Sequence, residues 1–355
     1  MASNGTVNPQ GNNSTNQHSA GAIVRKAEEF LASYEVEMAE KFYSRALEME
    51  PTNTKIMDAL AAIKMECGDV LGAKHLLHKS IAADPNGGYE KYFCFGQISN
   101  GAEAVESILR GLVVVENRIR SGKAGEEDLV SLRRVAASAY CNIVEIYMTD
   151  LCDEKDAEEN CEKYVKMAID LDKEGIEPLQ SLASLRIVQR RLKDAVGAMQ
   201  RVSERLKRFQ EAKGTDLTPL ASYEVREKTL QLFMETNMPE DTLSLAHIML
   251  HENDEIVNVW YLGSVAAMQL GDFEHAAELL SHAEKKLTGA LKVPENATDR
   301  DEIVAQLQSI RDLHADCRVK NAKKMATEVD STSSGGGGGG GGANNSGAVD
   351  GMDAE

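Results

Sequence analysis

AEKFYSRALEMEP (residues 39–51) and AKHLLHKSIAADP (residues 73–85) are two segments with one plan, placed 34 residues apart. Each begins with an alanine, continues with helix-forming residues and ends at a proline, which cannot continue a helix. A further alanine stands twelve residues before each segment, at Ala27 and Ala61, within another helix-forming run. Small side chains at fixed positions let paired helices approach closely. The sequence therefore predicts a pair of helices that is repeated with a period of 34 residues.

The same spacing of small residues and turn signals recurs along the chain. The predicted helix pairs cover about residues 20–53, 54–87, 88–121, 129–172, 176–209, 219–254 and 257–290, and a last helix covers about residues 299–324. A helix pair of this length is typical of tetratricopeptide repeats, each of which packs only on its neighbours. We therefore predict an all-α fold over residues 21–325, a tetratricopeptide-type superhelical solenoid of about seven degenerate helix pairs plus a C-terminal capping helix. The polar residues 1–20 and the Gly-rich, acidic residues 326–355 are predicted to be disordered tails.

The charge of the chain favours a basic protein partner. The chain has 57 acidic and 39 basic residues, which gives a formal net charge of −18. Such a surface repels nucleic acid phosphates and anionic lipid headgroups, so we predict no direct contact with nucleic acid and no membrane association. No apolar run is long enough to span a membrane, and no secretory signal is expected. The six cysteines have no CxxC spacing, which is typical of reduced thiols in an intracellular protein.

Motifs for catalysis or for metal and cofactor binding are weak. Cys152 and Cys161 lie among acidic residues but do not match the spacing of a zinc module, and packed thiols explain them better. His247 and His251 stand four residues apart, but without an HExxH pattern. No phosphate-binding loop or dinucleotide fingerprint is present. We therefore predict no catalytic residue, no metal and no cofactor. An enzyme whose turnover depends on Glu145 or Asp150 is the weakest alternative.

The first helix of each tetratricopeptide repeat lines a concave groove, and fixed offsets within the repeat give its groove-facing residues. The predicted partner-binding residues are Glu28, Asp58, Glu66, Glu90, Phe93, Tyr140, Glu145, Tyr147, Asp150, Glu177, Glu224, Glu227, Glu235 and Tyr261. An acidic groove with aromatic interruptions suits an extended segment rich in Lys and Arg, because charge steers the encounter and apolar contacts add affinity. The alternative is that these glutamates are ordinary solvated helix positions.

One segment in the middle of the chain points to a particular family of tetratricopeptide proteins. Residues 145–152 (EIYMTDLC), with Ala157-Glu158 and Cys161-Glu162 after them and an acidic surface around them, resemble a fungal family. It is the family of dedicated assembly chaperones of large-ribosomal-subunit protein four. The resemblance implies a basic ribosomal protein as partner, bound through its long internal loop by a monomer in a one-to-one complex. It also implies capture during synthesis, escort from the cytoplasm to the nucleus, and release to the nascent ribosomal subunit.

A scaffold subunit of a larger assembly is the second interpretation. Such a subunit would expose apolar stripes on its outer helices, and the run Leu112-Val113-Val114-Val115 is the best candidate for one. The alternative for this run is that it packs inside its own array.

Overall fold

The computed structural model of the protein describes residues 19–122, 125–293 and 300–333, with side chains described as far as residue 326. Within these ranges all regular secondary structure is helical, which confirms the predicted fold class. The helices are α1 (Ala20–Ala32), α2 (Val36–Met49), α3 (Thr54–Glu66), α4 (Val70–Ala83), α5 (Glu90–Gln97), α6 (Gly101–Arg120), α7 (Glu126–Met148), α8 (Ala157–Leu171), α9 (Glu177–Val188), α10 (Leu192–Lys213), α11 (Tyr223–Glu235), α12 (Pro239–Glu252), α13 (Val257–Gln269), α14 (Phe273–Ala290) and α15 (Arg300–Ser333).

Most helix boundaries agree with the predicted repeats, and the largest differences lie at α7, α8 and α15. Helix α7 begins at Glu126, where three acidic residues in its first turn suit the positive end of the helix dipole. Helix α8 begins at Ala157 rather than near Glu154. Helix α15 continues to Ser333, so the predicted C-terminal tail begins too early. The remainder of both predicted tails, residues 1–18 and 334–355, lies outside the described residues.

The described helices fall into two compact units. The first unit is residues 1–225 and the second is residues 226–355. Helices pair in chain order in the first unit, as α1 with α2, α3 with α4, and so on to α9 with α10. In the second unit α13 packs on α12 and α14, and α15 packs on α14 as the predicted capping helix.

Alanines make the close helix contacts of both units. The alanines with no exposed surface include one at each position that defines the repeat: Ala27, Ala39, Ala61, Ala73, Ala183, Ala195 and Ala276. A methyl group fills little space, so the backbones of paired helices come together while larger residues such as Tyr43 and Leu77 fill the remaining volume. The repeat signal in the sequence is therefore a packing requirement.

Gly-Asp pairs form the turn between the two helices of two repeats. Gly68 has φ +78° and Gly271 has φ +76°, a left-handed conformation that residues with a Cβ atom adopt at a cost. The following aspartates accept hydrogen bonds from the first turns of α4 and α14, Asp69 from Gly72 N at 2.9 Å and Asp272 from His275 N at 3.1 Å. In each turn the glycine terminates the first helix and the aspartate caps the N-terminus of the second.

The apolar run of the third repeat packs mostly inside. Leu112 is 2% exposed and Val115 is fully buried, whereas Val113 is 57% exposed. A single exposed valine is normal for a soluble surface. This run therefore does not form the outer apolar stripe that the scaffold interpretation requires.

Two histidines meet between α12 and α14 in the second unit. His247 Nε2 lies 3.0 Å from His275 Nε2, so the pair shares one proton in a hydrogen bond. Burial lowers the pKa of His247 below its ordinary value, and the facing His275 lowers it further. The folded chain therefore resists a second proton at this pair.

Acidification is expected to destabilise the second unit through this pair. As the pH falls below about 6.5, His247 takes a proton in the unfolded chain but not in the folded one, so stability is lost. His247→Gln should flatten the pH dependence of the urea unfolding midpoint between pH 7 and pH 5. The fluorescence of Trp260, the one tryptophan of the chain, reports unfolding of this unit.

His251→Gln is the matched control, because His251 lies one turn further along α12 and is exposed. It should keep the pH dependence of the unmodified chain. Equal pH slopes in the His247→Gln variant and the unmodified chain would contradict the assignment.

Candidate functional site

A cavity of about 720 Å³ lies between α5, α6 and α7 in the first unit. This volume is within the usual range of ligand pockets. Its wall is formed by Phe93, Cys94, Gly96, Gln97, Ser99, Ile108, Val135, Ser138, Ala139, Asn142, Glu145 and Ile146. Phe93 and Glu145 are among the predicted partner-binding residues, so the cavity is the candidate site.

The wall of the cavity combines apolar and polar side chains. Phe93 is half-buried, and its ring is tilted against that of Tyr89 at a centroid distance of 5.5 Å. Five lining side chains carry hydrogen-bonding groups: Gln97, Ser99, Ser138, Asn142 and Glu145. Of these, Gln97, Asn142 and Glu145 are exposed, so the cavity is in contact with solvent.

Two glycines bring α5 and α6 together beside the cavity. A Cβ atom on Gly111 would lie 2.6 Å from Cε1 of Phe93, and one on Gly96 would lie 2.8 Å from Cγ1 of Ile108. Both distances are shorter than any ordinary contact between carbon atoms. Phe93 therefore keeps its position because α6 has a glycine opposite the ring.

The polar wall comes from one face of α7. Ser138, Asn142 and Glu145 are spaced i, i+4 and i+7, which places them on one side of a helix. Ser138 Oγ donates a hydrogen bond to Glu177 Oε1 at 2.9 Å, so the carboxylate of Glu177 on α9 lies beside the wall. Two carboxylates, from α7 and α9, thus lie at this side of the cavity.

Two more carboxylates lie at the other side, near Cys94. Burial raises the pKa of the Cys94 thiol, and the negative charges of Asp58 on α3 and Glu90 on α5 raise it further. Burial also raises the pKa of Asp58, against the effects of the Ser80 hydroxyl and the Lys91 ammonium group. Asp58 Oδ1 and Ser80 Oγ are both buried, and the Ser80 hydroxyl partly offsets the burial of the carboxyl group.

The first helices of four consecutive repeats therefore supply acidic residues on or near the cavity wall: Glu145 lines it, Glu177 contacts Ser138 of the wall, and the charges of Asp58 and Glu90 act on Cys94 of the wall. Asp58, Glu90, Glu145 and Glu177 come from α3, α5, α7 and α9. The nearby Lys91 is buried and donates a hydrogen bond to the carbonyl of Asp84, and its single positive charge is outnumbered by the four carboxylates. The site favours a cation.

Tyr140 is a correction to the predicted site. Its side chain is 4% exposed and its ring stacks on that of Tyr164 at 5.8 Å, inside the core between α7 and α8. Burial, together with the nearby carboxylate of Glu116, raises the pKa of the Tyr140 phenol to about 12. Tyr147 is half-buried and also stacks on Tyr164, at 6.2 Å. These two tyrosines face α8, on the side of α7 away from Asn142.

Asp150 has a structural contact. Its Oδ2 accepts a hydrogen bond from the backbone N–H of Gly101 at 3.0 Å, at the N-terminus of α6. An acidic side chain at this helix end is stabilising. This contact explains an acidic residue at position 150 without any contact to a partner protein.

The other predicted residues lie away from the cavity lining. Glu28 on α1, Glu66 on α3 and Glu224 on α11 are exposed. In the second unit Glu227 accepts a hydrogen bond from Asn258 Nδ2 at 2.9 Å, Glu235 is exposed and Tyr261 is half-buried. Whether these residues bind a partner stays a prediction.

Several lining residues were not predicted. They include Gln97, Val135, Ser138, Asn142 and Ile146. The fourth repeat is longer than 34 residues, so offsets taken from the template do not apply along α7. The i, i+4, i+7 spacing of Ser138, Asn142 and Glu145 is the signal that could have identified this face.

The cysteine and histidine candidates from the sequence do not form a metal centre in the described residues. No group of three His, Cys, Asp or Glu side chains in that part of the chain is arranged to hold a metal ion. His247 pairs with His275 and not with His251. Cys161 is buried with its Sγ 3.8 Å from the carbonyl of Val144, and burial raises the pKa of its thiol to about 11.

Among the helices that the structure describes, none has the length and apolar character to cross a bilayer.

Two curated proteins are similar to most of the chain. A protein of Schizosaccharomyces pombe, named probable assembly chaperone of rpl4, is 33% identical over 253 residues, which are 67% of this chain and 73% of that protein. A protein of Emericella nidulans with the same name is 26% identical over 272 residues, which are 72% of this chain and 66% of that protein. No family model matches the chain.

A solved structure has a similar fold. The assembly chaperone of RpL4 (Acl4), residues 1–338, superposes with a TM-score of 0.60 at 28% identity, over 73% of this chain and 99% of that one. These relatives are named as chaperones and not as enzymes.

Proposed function

The chain belongs to the family of rpl4 assembly chaperones, and we propose that it binds a basic, extended segment of newly made rpl4 at the cavity of the first unit. The convergence of Asp58, Glu90, Glu145 and Glu177 from four helices is the observation that supports this placement. An acidic surface attracts a basic segment over several ångströms, and the apolar part of the wall then adds short-range contacts.

The proposal gives the chaperone a protective role. A basic loop that is to thread into ribosomal RNA is unfolded and highly charged while it is free. Covering it with carboxylates prevents premature contacts with nucleic acid and self-association. We propose capture in the cytoplasm through the client's long internal loop, as a one-to-one complex with a single copy of the chain, and escort into the nucleus. Ribosomal RNA, which carries far more negative charge, then competes for the same loop.

A binding measurement at two salt concentrations tests the proposal. Purified full-length chain and recombinant rpl4 are mixed at about 0.05 M and about 0.5 M salt, and the affinity is measured by calorimetry. Because the Debye length shortens as salt rises, the affinity is expected to fall by about tenfold or more. No binding at low salt, or an affinity indifferent to salt, would contradict the proposal.

Gly111→Ala tests whether the cavity is part of the binding surface. The new methyl group would lie 2.6 Å from the Phe93 ring and 3.0 Å from the buried Tyr92 Cβ, so the half-buried Phe93 is expected to swing into the cavity. We expect the affinity for rpl4 to fall about three- to tenfold, which corresponds to roughly 1 kcal/mol.

Gly197→Ala in α10 is the matched control, because no atom lies within 4 Å of the added methyl group. It gains the helix propensity of alanine, about 1 kcal/mol, without filling space. Binding by this variant should equal that of the unmodified chain. If the two variants bind rpl4 equally well, the cavity is not part of the surface.

A further inference from the structure

We propose that the cavity between α5, α6 and α7 is an arginine site, which holds one arginine side chain of the bound basic segment against Phe93 and beside the surrounding carboxylates. This inference rests on the proposed function, because it names the chemistry that the same site selects. It goes further in predicting that arginine and lysine are not equivalent there, although a charge-only groove would accept both.

The aromatic ring is the first reason. Phe93 lines the cavity and is half-buried, so its ring is accessible from the cavity yet shielded on the side of Tyr89. A planar guanidinium group stacks on such a ring and is attracted to its face. An ammonium group is compact and more strongly hydrated, so it loses more on entering a partly apolar wall.

The hydrogen-bonding groups of the wall are the second reason. Gln97, Ser99 and Asn142 each offer an oxygen acceptor on the cavity wall, and Glu145 adds a carboxylate. A guanidinium group has five N–H donors in a plane and can meet several acceptors at once. Lysine has three donors on a single atom.

The cost of an apolar occupant is the third reason. Gln97, Asn142 and Glu145 present hydrogen-bonding groups on the cavity wall. An apolar occupant such as leucine or phenylalanine would cover these groups without pairing them, which is unfavourable. A guanidinium group donates hydrogen bonds to them.

The experiment uses the full-length chain and synthetic peptides. Overlapping 15-residue peptides that tile rpl4 are labelled, and their affinities are measured by fluorescence anisotropy. In the peptide that binds most tightly, each arginine is then changed in turn to lysine and to leucine. At one arginine position, both changes are expected to weaken binding by about threefold to thirtyfold, the range of a cation–π contact. Changes at the other arginines should have less effect with lysine than with leucine.

A substitution in the chain identifies the site. Phe93→Leu keeps an apolar side chain of similar reach but removes the ring, so the preference for arginine over lysine at that position should disappear. Phe93→Tyr keeps the ring and should retain the preference. Urea midpoints of both variants, measured alongside, show that the first unit is folded.

The outcomes separate this inference from the proposed function. If rpl4 and a peptide bind, but lysine replaces every arginine with less than a twofold loss, the arginine site is wrong and the acidic groove stands. The same holds if a leucine peptide binds more tightly than its arginine parent, or if rpl4 binds and no peptide does. If neither rpl4 nor any peptide binds, the proposed function fails and the arginine site fails with it.

Discussion

Replacing Glu90, Glu145 and Glu177 together by lysine is expected to weaken the binding of rpl4 by about 100- to 1000-fold. Each change removes an attraction to the basic client and adds a repulsion of similar size, and a loss of about 3–4 kcal/mol over three positions gives this range. Glu145 lines the cavity, and Glu177 and Glu90 lie beside Ser138 and Cys94 of its wall. Calorimetry with recombinant rpl4 at about 0.1 M salt measures the effect.

The control changes the same net charge elsewhere. Glu48 on α2, with Glu204 and Glu211 on α10, are exposed glutamates on the second helices of their pairs. Their triple replacement by lysine alters the total charge equally but leaves the cavity unchanged, so binding should weaken less than tenfold. Equal losses in the two triple variants would mean that only total charge matters and that the cavity is not the site.

The repeat period was sufficient to predict the fold because it follows from packing. Ala27, Ala39, Ala61 and Ala73 have no exposed surface, and any larger side chain there would force the paired helices apart. When contact geometry permits only one residue type at a position, that residue recurs at a regular spacing in the sequence. The seventh repeat, predicted over about residues 257–290, coincides with the span from the start of α13 to the end of α14, because this repeat keeps the template without insertions.

The acidic side of the site and Phe93 were predictable from the sequence, and the part of the wall that α7 forms around Glu145 was not. Asp58, Glu90 and Glu177 follow the template offsets, and all three come to lie near the cavity. Helix α7 has 23 residues, so the template gives no register along it. Tyr140 was therefore assigned to the wrong face, although its spacing from Tyr147 is that of two residues on one side of a helix.

The division into two units was also not predictable from the sequence. Residues 212–216 mark a polar linker, but the boundary at Val225 and Arg226 falls within α11. A helix that runs through the boundary keeps a continuous helical pattern, so composition and periodicity show no break there. Arg226, the first residue of the second unit, is completely buried. Because arginine is usually exposed, the sequence alone does not predict this burial.

Glu252→Ala is expected to destabilise the second unit by about 2 kcal/mol. The side chain of Arg226 on α11 is 1% exposed, and it donates two hydrogen bonds to the carboxylate of Glu252 at the end of α12, one of them from Nη2 to Oε1 at 2.9 Å. Without Glu252 the guanidinium group keeps its charge inside the protein and loses this partner. Removing one member of a buried pair costs about 3–5 kcal/mol, and we expect less because Glu252 is 40% exposed.

Urea unfolding followed by Trp260 fluorescence measures the change, because Trp260 lies on α13 of the same unit. Asp316→Ala is the control, since Asp316 pairs with Lys320 four residues along an exposed face of α15 in the same unit, and such pairs contribute about 0.5 kcal/mol. The double variant Arg226→Met, Glu252→Leu should regain most of the lost stability, because it removes the buried charge together with its partner. If Glu252→Ala lowers the midpoint no more than Asp316→Ala does, the ion pair of Arg226 and Glu252 is not what holds α11 against α12.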